Sequence, residues 1–216
     1  MESTAPSALM PRKSPRQARA TVTVDAIFEA TIQVLLAGGL QQLTTTRVAE
    51  RAGVSVGTLY QYFPHKQALI YALNARYLDV LAEKVEATCR AHQGKAASTM
   101  VKALIETYWQ AKTERADVTR ALYRSVAELD NEAMIDAFAK RVDVATTTML
   151  ASASDVCFKD IESVNLTLVT VIFGTVRNAF ERRLSEDAAH ALKTQLVIMC
   201  QGYLSAVLSG ENAVET

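Results

Sequence analysis

Between residues 43 and 66 the chain reads LTTTRVAERAGVSVGTLYQYFPHK, and there Thr45, Thr46, Ser55, Thr58, Tyr60, Gln61, Tyr62 and Lys66 gather hydroxyls, phenols, an amide and an ammonium. Such groups hold a partner by hydrogen bonds and charge; they are tools of recognition rather than of bond breaking. Catalysis finds no comparable grouping. His65, His92 and His190 are scattered, no phosphate-binding glycine loop occurs, and the Glu-x-x-His pairs of di-iron bundles are absent. No catalytic residue, metal site or cofactor is therefore expected.

Two short helices must position these groups. Val48, Ala49 and Ala52 recur at helical spacing, with Thr44 or Thr45 ahead of them as the cap for the first free amides. Gly53 ends this helix, because a residue without Cβ takes left-handed backbone at no steric cost. Val54 turns inward and Ser55 caps a second helix over about residues 56–62. So short a turn makes the two helices cross steeply. The second helix is too short to stand alone, and Leu59 is its one apolar anchor. Gly57, Thr58, Tyr60, Gln61 and Tyr62 are left to face a partner.

A threonine-led helix, then Ala-Gly-Val-Ser, Gly-Thr-Leu-Tyr, Tyr-Phe and a lysine three residues on together resemble the TetR family of bacterial transcriptional repressors, over roughly a tenth of the chain. The resemblance implies a helix-turn-helix on double-stranded DNA, in which amides and hydroxyls hold phosphates while short side chains reach base edges in the major groove. It assigns Thr45, Tyr60 and Lys66 to the DNA backbone. Thr46, Val56, Gly57, Thr58 and Gln61 take base or near-base positions, where Val56 and Thr58 can meet a thymine methyl and Gln61 can pair with adenine. Ser55 joins this set at the cap, Tyr62 either reaches phosphate or packs, and Leu59 and Phe63 belong to the core. The chain departs from the pattern at Pro64-His65, where a small polar cap usually precedes the lysine. The next helix therefore begins with a histidine or with an unsatisfied amide.

The 216 residues, 50% hydrophobic and 21% charged, suit a globular protein of one or two domains with a substantial core. Net charge is zero but unevenly spread. Residues 1–76 hold 8 Lys+Arg against 4 Asp+Glu, giving +4, and the remainder 15 against 19, giving −4. Cys89, Cys157 and Cys200 are odd in number and widely spaced, which reads as reduced thiols of a cytoplasmic protein. The most apolar run, residues 166–176, is broken by threonines and a glycine and is shorter than the roughly 18 residues of a membrane span, so no membrane association is expected.

Residues 1–22, with Pro6, Pro11, Pro15 and the cations Arg12, Lys13, Arg16 and Arg19, read as a disordered basic arm that either orders on DNA or stays an inert tail. Thr23 is placed as the cap of a first helix with the stripe Ile27, Phe28, Thr31, Val34 and Leu35, stopped at Gly38-Gly39. A long helix over residues 66–91 carries Leu69, Leu73, Tyr77, Leu81 and Val85 at intervals of four, a seam leading from the recognition unit into the remainder. Further helices follow the stripes Val101, Leu104, Ile105, Tyr108, Trp109; Leu122, Tyr123, Val126; and Met134, Ile135, Phe138, Val142, Met149. Turns are expected at residues 93–94, 115–117, 130–131, 152–155 and 184–187. Residues 166–180 are apolar on nearly every face, and Leu192, Leu196, Val197, Cys200, Tyr203, Leu204 and Val207 form a wide stripe. This pair is either a central core or a dimerisation surface. The resemblance, in which the last two helices build a four-helix interface, implies a homodimer.

By the same resemblance a small-molecule effector binds in the second domain, with Tyr108, Trp109, Tyr123, Met134, Phe138, Met149, Phe173 and Arg177 as candidates to line its site. Arg177, a charge in an apolar helix, can pair with an acidic ligand, with a partner subunit's carboxylate, or with Glu181 one turn on. The expected fold is all-α: a three-helix helix-turn-helix DNA-binding head over residues 23–66 and a helical-bundle ligand-binding and dimerisation domain over residues 67–216. The expected function is a sequence-specific transcriptional regulator, a repressor released from a palindromic operator by its effector. The alternative is a helical ligand-binding or protein-interaction protein with a vestigial helix-turn-helix.

Overall fold

The computed structural model describes residues 18–126, 131–182 and 184–213, and among them the regular structure is helical, with no strand. Helix α1 (Ala18–Gln42) begins ahead of Thr23, so the stretch read as a disordered arm is helical from Ala18 onward, and residues 1–17 lie outside the described residues. The reason is local: past Pro15 no proline recurs until Pro64, and Ala18, Arg19 and Ala20 are good helix formers. The glycine stop shows as a break inside α1, where Gly39 takes φ 67° and ψ −173° before a last short turn to Gln42. After it come α2 (Thr45–Ala52), α3 (Val56–Tyr62), α4 (Lys66–Ala91), α5 (Ala97–Thr113), α6 (Ala116–Val126), α7 (Glu132–Ala151), α8 (Ile161–Glu181) and α9 (Glu186–Ala213). The turns read at 93–94 and 152–155 fall between these helices, whereas of the turn read at 115–117 only Arg115 does, since α6 already begins at Ala116; part of the turn read at 130–131 lies outside the described residues.

The chain forms two compact units. The first comprises the residues through Asp79 together with Asp117–Asp136, so the unit that holds the helix-turn-helix is wider than residues 23–66. Its core joins Ile27, Phe28, Val34 and Leu35 of α1 to Leu43, Val48, Ala49, Leu59, Phe63, Leu69 and Leu73, and adds Val118 and Leu122 of α6. The Phe28 and Phe63 rings lie 5.6 Å apart, fixing α1 on the residue that ends α3. Within this unit α6 is also tied to α4 by polar contacts. The Tyr77 phenol and Thr119 hydroxyl are 2.7 Å apart, and the buried Asn74 amide donates to Ser125 Oγ at 3.2 Å. Burial pushes the Tyr77 phenol up from its ordinary value, a rise the Thr119 hydrogen bond opposes.

The second unit comprises Val80–Ala116 and the residues from Ala137 onward. Leu81 and Val85 continue the α4 seam, and Met100, Leu104, Ile105, Val142, Met149, Leu168, Ile172, Val176, Leu196, Cys200 and Leu204 are buried with them. The first residue of α5 has no side-chain cap beside it in sequence. Asp155 supplies one from the loop after α7, its Oδ1 accepting the Ala97 amide at 2.8 Å. The α8–α9 pair keeps much of its apolar surface outside: Leu166 is 63% exposed, Ile198 55% and Met199 51%. Two stretches, Ala20–Gln42 and Glu186–Leu208, are long and apolar enough to cross a membrane by length and composition alone. The first is the core helix of the first unit, whereas only 17% of the second is buried within its own chain.

Candidate functional site

The α2–α3 turn is built as its residues demand. Thr44 is the N-cap of α2, its hydroxyl accepting the Arg47 amide at 3.3 Å. Gly53 takes φ 68° and ψ 29°; its N–H reaches back to Glu50 O at 3.2 Å while Val54 N–H bonds Ala49 O at 3.0 Å, which closes the helix end. Ser55 then caps α3, its Oγ accepting the Thr58 amide at 2.9 Å and lying 2.8 Å from Thr58 Oγ1. Residues 53–57 spell Gly-x-Ser-x-Gly, but a nucleophile elbow needs a strand leading into the serine. Here helix α2 leads in, and the Ser55 hydroxyl is engaged as a cap.

The recognition groups fall into two sets. Leu59 and Phe63 are buried and anchor α3, and Val56 and Tyr62 are half-buried against the same core. Thr46, Gly57, Tyr60 and Gln61 are exposed, and Thr45, Thr58 and Lys66 partly so. Between α2 and α3 the Thr45 hydroxyl and Tyr60 phenol are 3.1 Å apart, so the two groups assigned to phosphates are held side by side. A Cβ added at Gly57 would meet nothing closer than Ser55 Oγ at 3.7 Å; the fold itself leaves room for a side chain there. At the start of α4, His65 Nδ1 accepts the Ala68 amide at 3.2 Å, so the imidazole does the capping work and Lys66 stands in the first turn.

Beside this face, Arg47 donates to Gln42 O and Oε1, and Arg51 donates to Gln33 Oε1 at 2.6 Å. These bonds brace α2 against the second half of α1. They edge an open groove of about 390 Å3 that Val34, Ala37 and Glu50 also line.

In the second unit the structure brings three of the effector candidates together. Tyr108 and Phe173 stack at 3.9 Å with 9° between their planes, and Phe138 lies 6.0 Å from Phe173. Trp109 and Met149 are buried in the same unit, whereas Tyr123 and Met134 belong to the first. Arg177 is exposed and its Nε donates to Glu181 Oε1 at 2.8 Å, the pairing one turn on. Lys112, absent from the sequence-derived set, is 1% exposed, with its Nζ 5.4 Å from the Tyr108 ring centroid. Burial chiefly, and the nearby charge of Arg177, bring its ammonium down to about 7. Its signal was in the sequence: residue 112 continues the stripe of Ile105, Tyr108 and Trp109 by one turn.

Two family models match the chain. Residues 27–73 match the family model of bacterial regulatory proteins of the tetR family, and residues 98–204 match that of the tetracyclin repressor-like C-terminal domain. The chain is 35% identical over 118 residues to the nucleoid occlusion factor SlmA of Actinobacillus pleuropneumoniae, covering 54% of this chain and 55% of that protein. It is 29% identical over 119 residues to the transcriptional repressor KstR of Rhodococcus jostii, covering 54% of each. It thus spans about half the length of these curated relatives. Among solved structures it is similar to a TetR-family regulator from Mesorhizobium loti, with TM-score 0.71 and 14% identity over 89% of this chain and 98% of that one. It is also similar to FadR of Bacillus subtilis in complex with stearoyl-CoA, with TM-score 0.65 and 18% identity over 82% and 96%.

Proposed function

The chain belongs to the tetR family of bacterial regulatory proteins, a family of DNA-binding transcriptional regulators, and on that premise we propose that it is a cytoplasmic homodimeric repressor released from a palindromic operator by a small-molecule effector. The observation that carries the DNA half is the exposed Thr45–Tyr60 hydroxyl pair, set by two capped helices beside Thr46 and Gln61. Thr45, Tyr60 and Lys66 bind phosphate, and Gln61 with Thr46 and Thr58 reads base edges. Val56 and Tyr62, half-buried against the core, position α3 and offer only their outer edges to DNA.

A second protomer supplies the second reading head. The exposed apolar residues Leu166, Ile198 and Met199 of α8 and α9 make the interface, because a helix with only 17% of its apolar stretch buried in its own chain gains most by covering the rest. Two-fold symmetry then spaces the recognition helices about 34–36 Å apart, one turn of DNA. The effector binds at the Tyr108, Phe138 and Phe173 cluster and acts by favouring a dimer conformation that DNA does not. Two precedents support this reading: KstR of Rhodococcus jostii is a repressor, and FadR of Bacillus subtilis holds stearoyl-CoA in the same fold.

Fluorescence anisotropy with DNA from upstream of the protein's own gene and with scrambled DNA, at several salt concentrations, tests the assignment. Tight, salt-dependent preference for the upstream DNA is expected, and equal weak binding to both, repeated on sites selected from random DNA, would overturn it. The similarity to nucleoid occlusion factors favours one second reading, a DNA-binding role outside promoter control; it predicts specific binding that no small molecule releases.

A further inference from the structure

Gly38, Gln42 and Arg47 make a chain of contacts that ends in a cation. A Cβ added at Gly38 would stand 2.5 Å from Gln42 Cδ and Oε1 and 2.7 Å from Gln42 Cβ, so the Gln42 side chain lies in space that only a glycine leaves open. The break of α1 at Gly39 precedes the short turn that brings Gln42 there. In that place Gln42 Oε1 accepts from Arg47 Nη1 at 2.8 Å, and the Gln42 carbonyl accepts from the same nitrogen at 3.3 Å. Both acceptors are neutral. Among the described residues Arg47 has no carboxylate at ion-pair distance, although Glu50 lines the same groove.

Such a cradle fixes a guanidinium without neutralising it. Arg47 spends Nη1 on Gln42, and its Nε and Nη2 have no hydrogen-bond partner among the described residues. Those two nitrogens form the side edge of the fork, which matches two oxygens of a phosphate. Arg47 is exposed and follows Thr45 and Thr46 in the first turn of α2, where the reading face begins. Arg51 differs on each point. It lies in the last turn of α2, about 6 Å further along the axis, and its Nε is already committed to Gln33 Oε1 at 2.6 Å. The reading head also has few cations to spare: from α1 to the first residue of α4 its only Lys and Arg residues are Arg19, Arg47, Arg51 and Lys66. A duplex presents one phosphate per about 1.7 Å of its axis, so each free cation on this face counts.

We propose that Arg47 is a phosphate clamp of the DNA interface, its Nε and Nη2 taking two oxygens of one backbone phosphate beside Thr45 and Thr46. Gln42 and Gly38 touch no DNA and are positioning residues: Gln42 fixes the plane of the fork, and Gly38 leaves the room in which Gln42 does so. Arg51, with its Nε committed, is a brace between α1 and α2 and not a contact. The inference rests on the reading that the α2–α3 face binds double-stranded DNA.

The test is a salt titration of binding, by anisotropy, to a fluorescein-labelled duplex enriched from random DNA by the intact protein. Losing one phosphate contact lowers the slope of log affinity against log salt concentration by about 0.9 per protomer, so Arg47→Gln should show that drop together with a loss of affinity of about tenfold. Arg51→Gln should leave the slope within about 0.3 of the intact protein's. Arg47→Lys should keep the slope and still bind more weakly, because an ammonium carries the charge without the fork. Gln42→Ala and Gly38→Ala should each keep the slope and weaken binding, and the double variant should be no weaker than Gln42→Ala alone, since both act through one side chain. Far-UV circular dichroism checks each fold, and Arg47→Lys with the Gly38–Gln42 cycle carries the test if Arg47→Gln does not fold. An unchanged slope in folded Arg47→Gln, an equal drop in Arg51→Gln, or additive losses in the double variant would overturn the proposal. If the intact protein enriches no duplex and binds random DNA at no salt concentration, the DNA reading itself fails before any variant is made, and this inference falls with it.

Discussion

Replacing Lys112 by methionine should make the protein more stable at neutral pH, and the size of the gain follows from its surroundings. Burial, with the charge of Arg177 behind it, moves the ammonium from 10.5 to about 7. At about 1.36 kcal/mol per pH unit, a gap of about 3.5 between the unfolded and folded values makes the charged form cost roughly 4 to 5 kcal/mol in the folded chain. The Tyr108 ring returns on the order of 1 to 2 kcal/mol of this as a cation–π contact, which leaves desolvation the larger of the two effects. The folded value is the lower one, so between about 7 and 10.5 the unfolded chain binds the extra proton. The cost is therefore complete below about pH 7 and shrinks as pH rises through that window. Methionine keeps the length of the stem and has no charge to desolvate. Urea unfolding followed by circular dichroism at pH 6.5, 7.5 and 8.5, at one protein concentration for both proteins, measures the difference. Contributions from Tyr77, Cys89 and Cys200, whose raised values act in the opposite direction, cancel in that difference. Lys112→Met should be the more stable protein at pH 6.5, with an advantage that narrows toward pH 8.5. A variant less stable throughout, or an advantage independent of pH, would refute the reasoning.

Gly57→Ala should raise helix stability by about 0.5 to 1 kcal/mol, since the site has room for a methyl, yet weaken operator binding because the backbone then stands off the DNA; thermal melting and anisotropy read the two effects separately. Tyr60→Phe should weaken binding to specific and random DNA alike, whereas Gln61→Ala should relax preference at one base position by about 1 to 3 kcal/mol, as competition with single-base variants of the operator would show. Ile198→Glu should shift the protein from dimer to monomer in analytical ultracentrifugation, since it sets a charge on an apolar helix face; an unchanged sedimentation coefficient would place the interface elsewhere.

The sequence by itself determined the helix-turn-helix, because everything that shapes it acts within a few residues. Thr44 and Ser55 cap, Gly53 takes the left-handed backbone, and Leu59 and Phe63 point inward by helical period. It also determined the seam of α4 and the stripe of α5, which follow from a period of 3.6. Only the tertiary structure decided which stripes meet, since a stripe states that a face is buried and not against what. It joined Val118 and Leu122 of α6 to the first unit, brought Asp155 to the start of α5, and drew Tyr108, Phe138 and Phe173 together while leaving Tyr123 and Met134 in the other unit. It paired Arg177 with Glu181 and placed Lys112 inside. The physical reason is range: caps and turns are satisfied within one or two helical turns, whereas the burial of a charge depends on neighbours tens of residues away in the chain.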